Sequence, residues 1–338
     1  MGKLKFAIFG TGFWSNFQIP AWKELEGVEC VAAYNRTRSR AEEVAQKFGI
    51  PKVYDDPKAL LESEDLDFVD IITDVDTHAP FTEMAARKGL HVICQKPMGP
   101  TREIAAGMLD VCRQQGVRLF IHENFRWQAP MRKLKEIIDS GIVGTPFKAR
   151  VSFCSAFPVF ENQPFLAELD HFILTDVGSH VLDVCRYLFG EATSLYCSTN
   201  KINPGIKGED VANVMLKMDG NVTCFAEMSY ASILEKEAFP QVFVLIEASK
   251  GSLVLTHDYE IRMTTREGTE SQFVRPKIYD WLDPEYAVVH SSIVDCNRDL
   301  LNGLKGGKCE TTGEDNIKTV DLVWASYESA KSNKVIFL

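Results

Sequence analysis

The chain has 338 residues and no apolar run approaching the roughly 18 needed to cross a bilayer. Its first residues, MGKLKFAIFG, run directly into a strand pattern without a signal-peptide core, so a soluble, cytoplasmic protein is expected. A basic excess is also missing. With 37 Lys and Arg against 47 Asp and Glu, the formal net charge is −10, which argues against a nucleic-acid or anionic-membrane surface and for a small-molecule partner. The nine cysteines are odd in number and contain no C-x-x-C pair, so they read as reduced core residues. His91, His122, His171 and His257 have no ligand spacing, and no metal is expected. Repeats and low-complexity tracts are absent.

Hydrophobic residues make up 45% of the chain, enough for two cores. Up to residue 124, short apolar runs (LKFAIFG, VECVAAY, KVY, DFVDIIT, HVIC, VRLFIH) alternate with amphipathic helical stretches over 16–25, 39–48, 56–62, 77–88 and 101–115. Strands of this kind, separated by helices, predict an α/β fold with a doubly wound parallel sheet. Beyond Pro130, after a helix over 131–140, strand-like runs succeed one another with hairpin signals at Asp219-Gly220 and near Lys250-Gly251. This predicts a second, largely antiparallel sheet with a helix over 176–189 inserted early and another over about 316–330 near the end. Two domains follow, a dinucleotide-binding one over 1–124 and a substrate-binding and oligomerisation one over 125–338. A sheet covered on one side often hides its other face in an oligomer, so a homodimer or homotetramer is expected.

FAIFGTGFWS sets Gly10 and Gly12 between the first strand and a helix, the placement of a pyrophosphate-binding turn, with Phe13 and Trp14 next to it. The third small position is Ser15 rather than glycine. At the end of the second strand, where an acid would hold the ribose of NAD, stand Asn35, Arg36 and Arg38. The missing carboxylate and the guanidinium groups lean towards NADP over NAD. In the other reading Asn35 holds the ribose diol of NAD and the arginines are solvated.

HVICQKPM brings Lys96 to the carboxyl edge of the sheet, with Pro97 restricting the backbone around it. Elsewhere, TDVGSH puts Asp176 and His180 on one face at the start of a helix. A histidine so placed can be structural, or it can take a proton from an alcohol with the carboxylate orienting it. HENFRWQ supplies Asn124 and Arg126 as substrate-binding candidates, Arg126 alternatively forming an interdomain ion pair, and Trp127 as interface packing. PKIYDWLDPEYAVVH reads as a loop over the pocket or a subunit contact, with Tyr279, Tyr286 and His290 as further candidates.

The glycine-rich first turn, Lys-Pro after the fifth strand, D-x-G-x-H in the following domain and the closing TTGEDNIKTVDLVWASYESAKSNKVIFL together resemble the glucose–fructose oxidoreductase / inositol dehydrogenase family (Gfo/Idh/MocA) over essentially the whole chain. The resemblance implies a Rossmann domain followed by a C-terminal α/β domain with an open, mostly antiparallel sheet. It also implies NAD(P)-dependent hydride transfer on a sugar, cyclitol or related polyol. It makes Lys96 the lysine between cofactor and substrate, Asp176 a substrate-side carboxylate and His180 the base. Thr73 and His78 match the segment beside the cofactor, and Gln95 joins Lys96 there. Three departures stand out: Gln95 replaces the usual glutamate before Lys-Pro, Asp74 replaces a usual proline, and the glycine pair before the D-x-G-x-H helix is absent. The alternative is a dinucleotide-binding regulator of the same fold without catalysis.

Overall fold

Runs such as FVDI and HVICQ are apolar on both faces, and a parallel sheet covered on both sides is the arrangement that buries them. The computed structural model describes residues 2–338. Strands β1 (Leu4–Phe9), β2 (Val28–Tyr34), β3 (Lys52–Tyr54), β4 (Phe68–Ile71), β5 (His91–Gln95) and β6 (Leu119–His122) pair in parallel in the order β3-β2-β1-β4-β5-β6. The reversal of order between β1 and β4 marks the switch point, where doubly wound sheets bind ligands at the carboxyl ends of the strands.

The connecting helices are α1 (Ser15–Lys23), α2 (Arg38–Phe48), α3 (Pro57–Ser63), α4 (His78–Arg87) and α5 (Arg102–Gln114). Their ends follow local chemistry. Asp56 accepts from the Lys58 amide ahead of Pro57 and Thr101 accepts from the Ile104 amide, while Gly49 ends α2 in the left-handed region at φ 67°.

The chain forms two compact units. The first holds the chain up to Asn124 together with Ile278–Val320, and the second holds Phe125–Lys277 together with Asp321–Leu338. In the second, α6 (Ala129–Ser140), α7 (Val159–Asn162) and α8 (Val177–Phe189) accompany strands β7 (Pro146–Cys154), β8 (Ala192–Asn200), β9 (Val211–Met218), β10 (Thr223–Ser229), β11 (Phe243–Ala248), β12 (Gly251–Leu255), β13 (Glu260–Thr265), β14 (Gly268–Phe273) and β15 (Ile336–Phe337). These nine strands form a sheet in the order β14-β13-β12-β11-β7-β10-β9-β8-β15, antiparallel except for the β7–β10 pair. The β9–β10 turn at Asp219–Asn221 and the β11–β12 turn lie at the expected hairpin signals. Helix α8 packs on β7 and β10 and so covers one face of this sheet.

A domain drawn as 125–338 includes Ile278–Val320, which is compact with the first unit. Helix α9 (Ala287–Leu304) lies there and packs on α1 and β6. The segment expected to be a pocket loop or subunit contact is partly packed: Tyr279, Leu282 and Ala287 bury with Ile293 and Val294 of α9 against Ala21 of α1, with Trp14, Phe17 and Trp281 beside them, while Ile278 is exposed. Helix α10 (Gly313–Ser332) precedes β15. Among the described residues no helix is long and apolar enough to cross a membrane.

Candidate functional site

The turn after β1 has the shape its glycines were read for. Gly10 has φ +106°, and a Cβ there would lie 2.8 Å from the Ile72 carbonyl oxygen, so the closeness of β1 to the end of β4 requires glycine. A Cβ on Gly12 would meet nothing within 4 Å, which leaves the turn open on that side. Helix α1 begins without a side-chain cap and without an acid in its first turn; its Ser15, Asn16 and Phe17 amides bond the Gly12, Phe13 and Trp14 carbonyls, so what it offers an anion is its positive dipole end, unopposed by a carboxylate. Thr11 Oγ1 is buried with no hydrogen-bond partner, a polar group that awaits one. These residues fit a dinucleotide pyrophosphate. Phe13, half exposed, and Trp14 make edge-on contacts with each other and with Phe17, whose ring stacks on His290 at 3.8 Å between centroids.

At the end of β2, Asn35 donates to the Thr37 carbonyl at 3.0 Å and Arg36 is exposed. Arg38 bonds Glu42 at 2.9 Å and lies 3.8 Å from Asp55. The guanidinium expected to greet a 2′-phosphate therefore already faces two carboxylates.

At the β4 and β5 edge, Thr73 receives the Thr77 hydroxyl at 2.7 Å, and buried His78 sits between the Thr73 carbonyl (3.1 Å) and the Pro97 carbonyl (3.0 Å). Burial lowers the His78 pKa against the pull of the two carbonyls; the neutral ring, with one N–H, donates to one of them and lies against the other, between the loop after β4 and the Lys96-Pro97 segment. Lys96 is half-buried beyond β5, and its backbone N–H donates to Gln95 Oε1 at 3.2 Å. Behind it lies a feature the sequence reading missed. Gln95 Nε2 donates to Gln18 Oε1 (2.5 Å), Gln18 Nε2 donates to both oxygens of Asp70 (2.7 and 2.8 Å), and the Trp22 indole donates to Asp70 Oδ2 (2.7 Å). Asp70 is fully buried in β4, and burial pushes its pKa up to about 7. The available signal was a lone acid inside the apolar strand FVDI.

Asn124, expected to touch substrate, instead donates to the Val289 carbonyl (3.2 Å) and to Ser292 Oγ (2.8 Å), joining the end of β6 to α9. Its amide hydrogens are used structurally.

In the second unit, α8 opens with Asp176 at its N-cap and carries His180 one turn later. His180 is buried and stacks on Phe125 with centroids 3.9 Å apart and planes 4° from parallel, which fixes the imidazole. The Tyr230 hydroxyl lies 3.4 Å from Asp176 Oδ2. Burial first and the Asp176 charge second hold that phenol far above its ordinary range, so it stays a donor. Glu209 accepts the Phe172 and Leu174 amides (3.3 Å each) and the Tyr327 hydroxyl (2.7 Å), bracing the turn from which α8 starts. Neither Tyr230 nor Glu209 was read from the sequence, because contacts between distant segments leave no spacing signature.

Arg126 is buried and its Nε and Nη2 bind Asp183 of α8 at 2.7 and 2.5 Å. The fork proposed for a substrate thus grips a carboxylate of its own unit, and the pair lies within the second unit rather than between domains. Trp127 packs under the Arg132 guanidinium at 4.3 Å. Among the described residues no group of three or more His, Cys, Asp or Glu is arranged to hold a metal ion.

Comparison with known proteins places this geometry in context. Residues 4–123 match the model of an oxidoreductase family with an NAD-binding Rossmann fold, and residues 131–254 match the GFO/IDH/MocA C-terminal domain. A D-apiose dehydrogenase of Paraburkholderia graminis is 40% identical over 337 residues, covering 99% of this chain and 90% of that protein. One from Rhizobium rhizogenes is 37% identical, covering 99% and 98%. Among solved structures, an oxidoreductase from Agrobacterium radiobacter in complex with NAD+, L-tartaric acid and magnesium is 36% identical, with a TM-score of 0.97 over 99% of this chain and 98% of that one. The chain belongs to the Gfo/Idh/MocA family of NAD-binding oxidoreductases.

Proposed function

We propose that this protein is an NAD-dependent dehydrogenase that oxidises a carbinol carbon of a pentose-sized sugar, with D-apiose as the first substrate to try. The observation that carries the reading is the full-length likeness to two D-apiose dehydrogenases at 40% and 37% identity. NAD is favoured over NADP, against the lean taken from Arg36 and Arg38. A 2′-phosphate would have to displace Glu42 and Asp55 from Arg38, and the 36% identical oxidoreductase holds NAD+.

The bound nicotinamide supplies the hydride acceptor. The His180 imidazole takes the hydroxyl proton as the carbon loses hydride, so the alcohol gives up two electrons and two hydrogens and leaves as a carbonyl. The Lys96 ammonium donates to the same oxygen as it gains negative charge. Asp176, held by the Tyr230 hydroxyl, orients the base or binds a neighbouring sugar hydroxyl. We also propose that two copies associate through the partly exposed face of the nine-stranded sheet.

The test is a dehydrogenase assay across sugars, polyols and inositols with both cofactors, read at the absorbance of reduced nicotinamide. D-apiose with NAD+ should give the highest kcat/KM. Lys96→Ala and His180→Ala should each lower kcat by about 100-fold while the KM for NAD+ stays close to wild type. Full turnover in either variant overturns that residue's role, and a panel without any turnover overturns the enzyme reading in favour of a regulator. Product analysis fixes the oxidised carbon, since a C1 lactone hydrolyses to an acid and a ketone does not.

A further inference from the structure

A fully buried carboxylate in the middle of a parallel sheet is costly, and its retention calls for a reason. Asp70 has no cation among its hydrogen-bond partners. Its donors are the neutral Gln18 amide and Trp22 indole of α1, and the titratable groups in its field are the thiols of Cys30 in β2 and Cys94 in β5. What singles out the arrangement is its direction. In its ionised form Asp70 only accepts, so Gln18 then turns its NH2 towards Asp70 and its carbonyl towards Gln95. Gln95 must then turn its NH2 towards Gln18 and its own carbonyl towards the Lys96 backbone N–H. Each amide has one allowed orientation, and the charge at one end decides it for the peptide at the other.

We propose that Asp70 is a positioning residue for Lys96, acting through the one-way relay Asp70–Gln18–Gln95 that locks the Lys96 peptide. The other side of that segment is fixed independently, because the Pro97 carbonyl lies against His78 Nδ1. The lysine is thereby set between two backbone anchors, which gives a flexible side chain a defined root. The relay also joins three elements at the switch point, namely α1 behind the glycine-rich turn, β4 and the end of β5. The inference rests on the role given to Lys96 under the proposed function, and it predicts what happens when the carboxylate is replaced by its closest neutral analogue.

In Asp70→Asn the side-chain oxygen goes to the Trp22 N–H and the new NH2 faces the Gln18 NH2. Gln18 then flips to present its carbonyl, which turns its NH2 on Gln95. Gln95 flips in turn and presents an NH2 to the Lys96 N–H, two donors facing each other. Adding Gln95→Glu restores an acceptor to both neighbours, since a carboxylate receives the flipped Gln18 and the Lys96 amide together. The double variant should therefore outperform the single one, a result that loss of a merely structural contact does not give.

The experiment measures kcat and KM with D-apiose and NAD+, and separately the hydrogen-exchange rate of the Lys96 amide in the protein without cofactor or sugar. Asp70→Asn is expected to lower kcat at least tenfold with the KM for NAD+ within about twofold, and to speed Lys96 exchange about tenfold. Asp70→Asn/Gln95→Glu should return both to within about threefold of wild type. Gln95→Met, which cuts the relay and leaves Asp70 with its own donors, should reproduce the single-variant loss and decides the matter if Asp70→Asn does not fold. Wild-type kcat and exchange in Asp70→Asn or Gln95→Met overturn the relay, as does a folded double variant no better than the single one. The two readings fail separately: unimpaired Lys96→Ala turnover removes the catalytic role, whereas the exchange rates report on the relay alone.

Discussion

Single residues at the first unit's sheet edge are held by neighbours far along the chain, and His290 shows what this does to titration. It is 4% exposed, stacked on Phe17, and its Nδ1 has no partner. Burial depresses its pKa from 6.5 to about 4, with Asp283 opposing the shift. A base with a folded pKa below its unfolded value favours the fold while neutral. That contribution is complete above pH 6.5 and is lost as pH falls towards 4, where folding must bury a charge or expel the ring. A displacement of this size corresponds to about 3 kcal/mol. Thermal unfolding of wild type should therefore drop between pH 7 and pH 4.5 by several degrees more than that of His290→Leu. Equal slopes would mean that the ring ionises in place. Asn124 and Arg126 teach the same lesson in hydrogen bonds. Their polarity and position at strand or loop ends made them candidates for substrate, and their partners in α9 and α8 take up that polarity instead.

Elements were legible where local chemistry sets them. The six parallel strands carry continuous apolar runs, and α3 and α5 announce themselves by the Asp56 and Thr101 caps. Helix α9 did not, because most of its 18 residues are buried on several sides and Tyr286 supplies no cap, so neither an apolar stripe nor a start signal appears. Helix α8 was visible with Asp176 and His180 in their right places, yet the groups that aim it lie at 209, 230 and 327. Glu209 is the sharpest case. Its two oxygens hold two amides and a hydroxyl at the root of α8, and the close approach of its neighbour is shown by Gly208, where a Cβ would lie 2.7 Å from the Leu169 carbonyl oxygen. In Glu209→Gln one amide hydrogen would face an NH2 rather than an acceptor, at a cost of about 1–3 kcal/mol. The melting temperature should fall, and kcat should drop about tenfold with the KM for NAD+ unchanged, since the first unit is untouched. A variant with lowered stability and wild-type kcat would show that the brace serves folding alone.

At the scale of the whole molecule, the partly exposed face of the nine-stranded sheet is the surface through which two copies are proposed to associate. The strand registers line up Tyr196, Met215, Phe225, Arg150, Leu245 and Val254 in one row across β8, β9, β10, β7, β11 and β12. Met215 is 43% exposed, and the other apolar members are only partly covered by their own neighbours. The row is not purely apolar: Arg150 stands in its middle and reaches Glu227 at 3.2 Å, and Lys148 on the same strand pairs with Glu247, so the face mixes apolar side chains with salt bridges. A second copy laid on the same face would match row to row about a twofold axis, the commonest way a homo-oligomer closes. Light scattering should then give a mass of at least twice 38.0 kDa for wild type. Phe225→Glu, which sets a carboxylate in the middle of the row without entering the core beneath, should give the monomer mass with secondary structure retained. A wild-type monomer at micromolar concentration, or a Phe225→Glu oligomer of unchanged mass, would place the contact elsewhere.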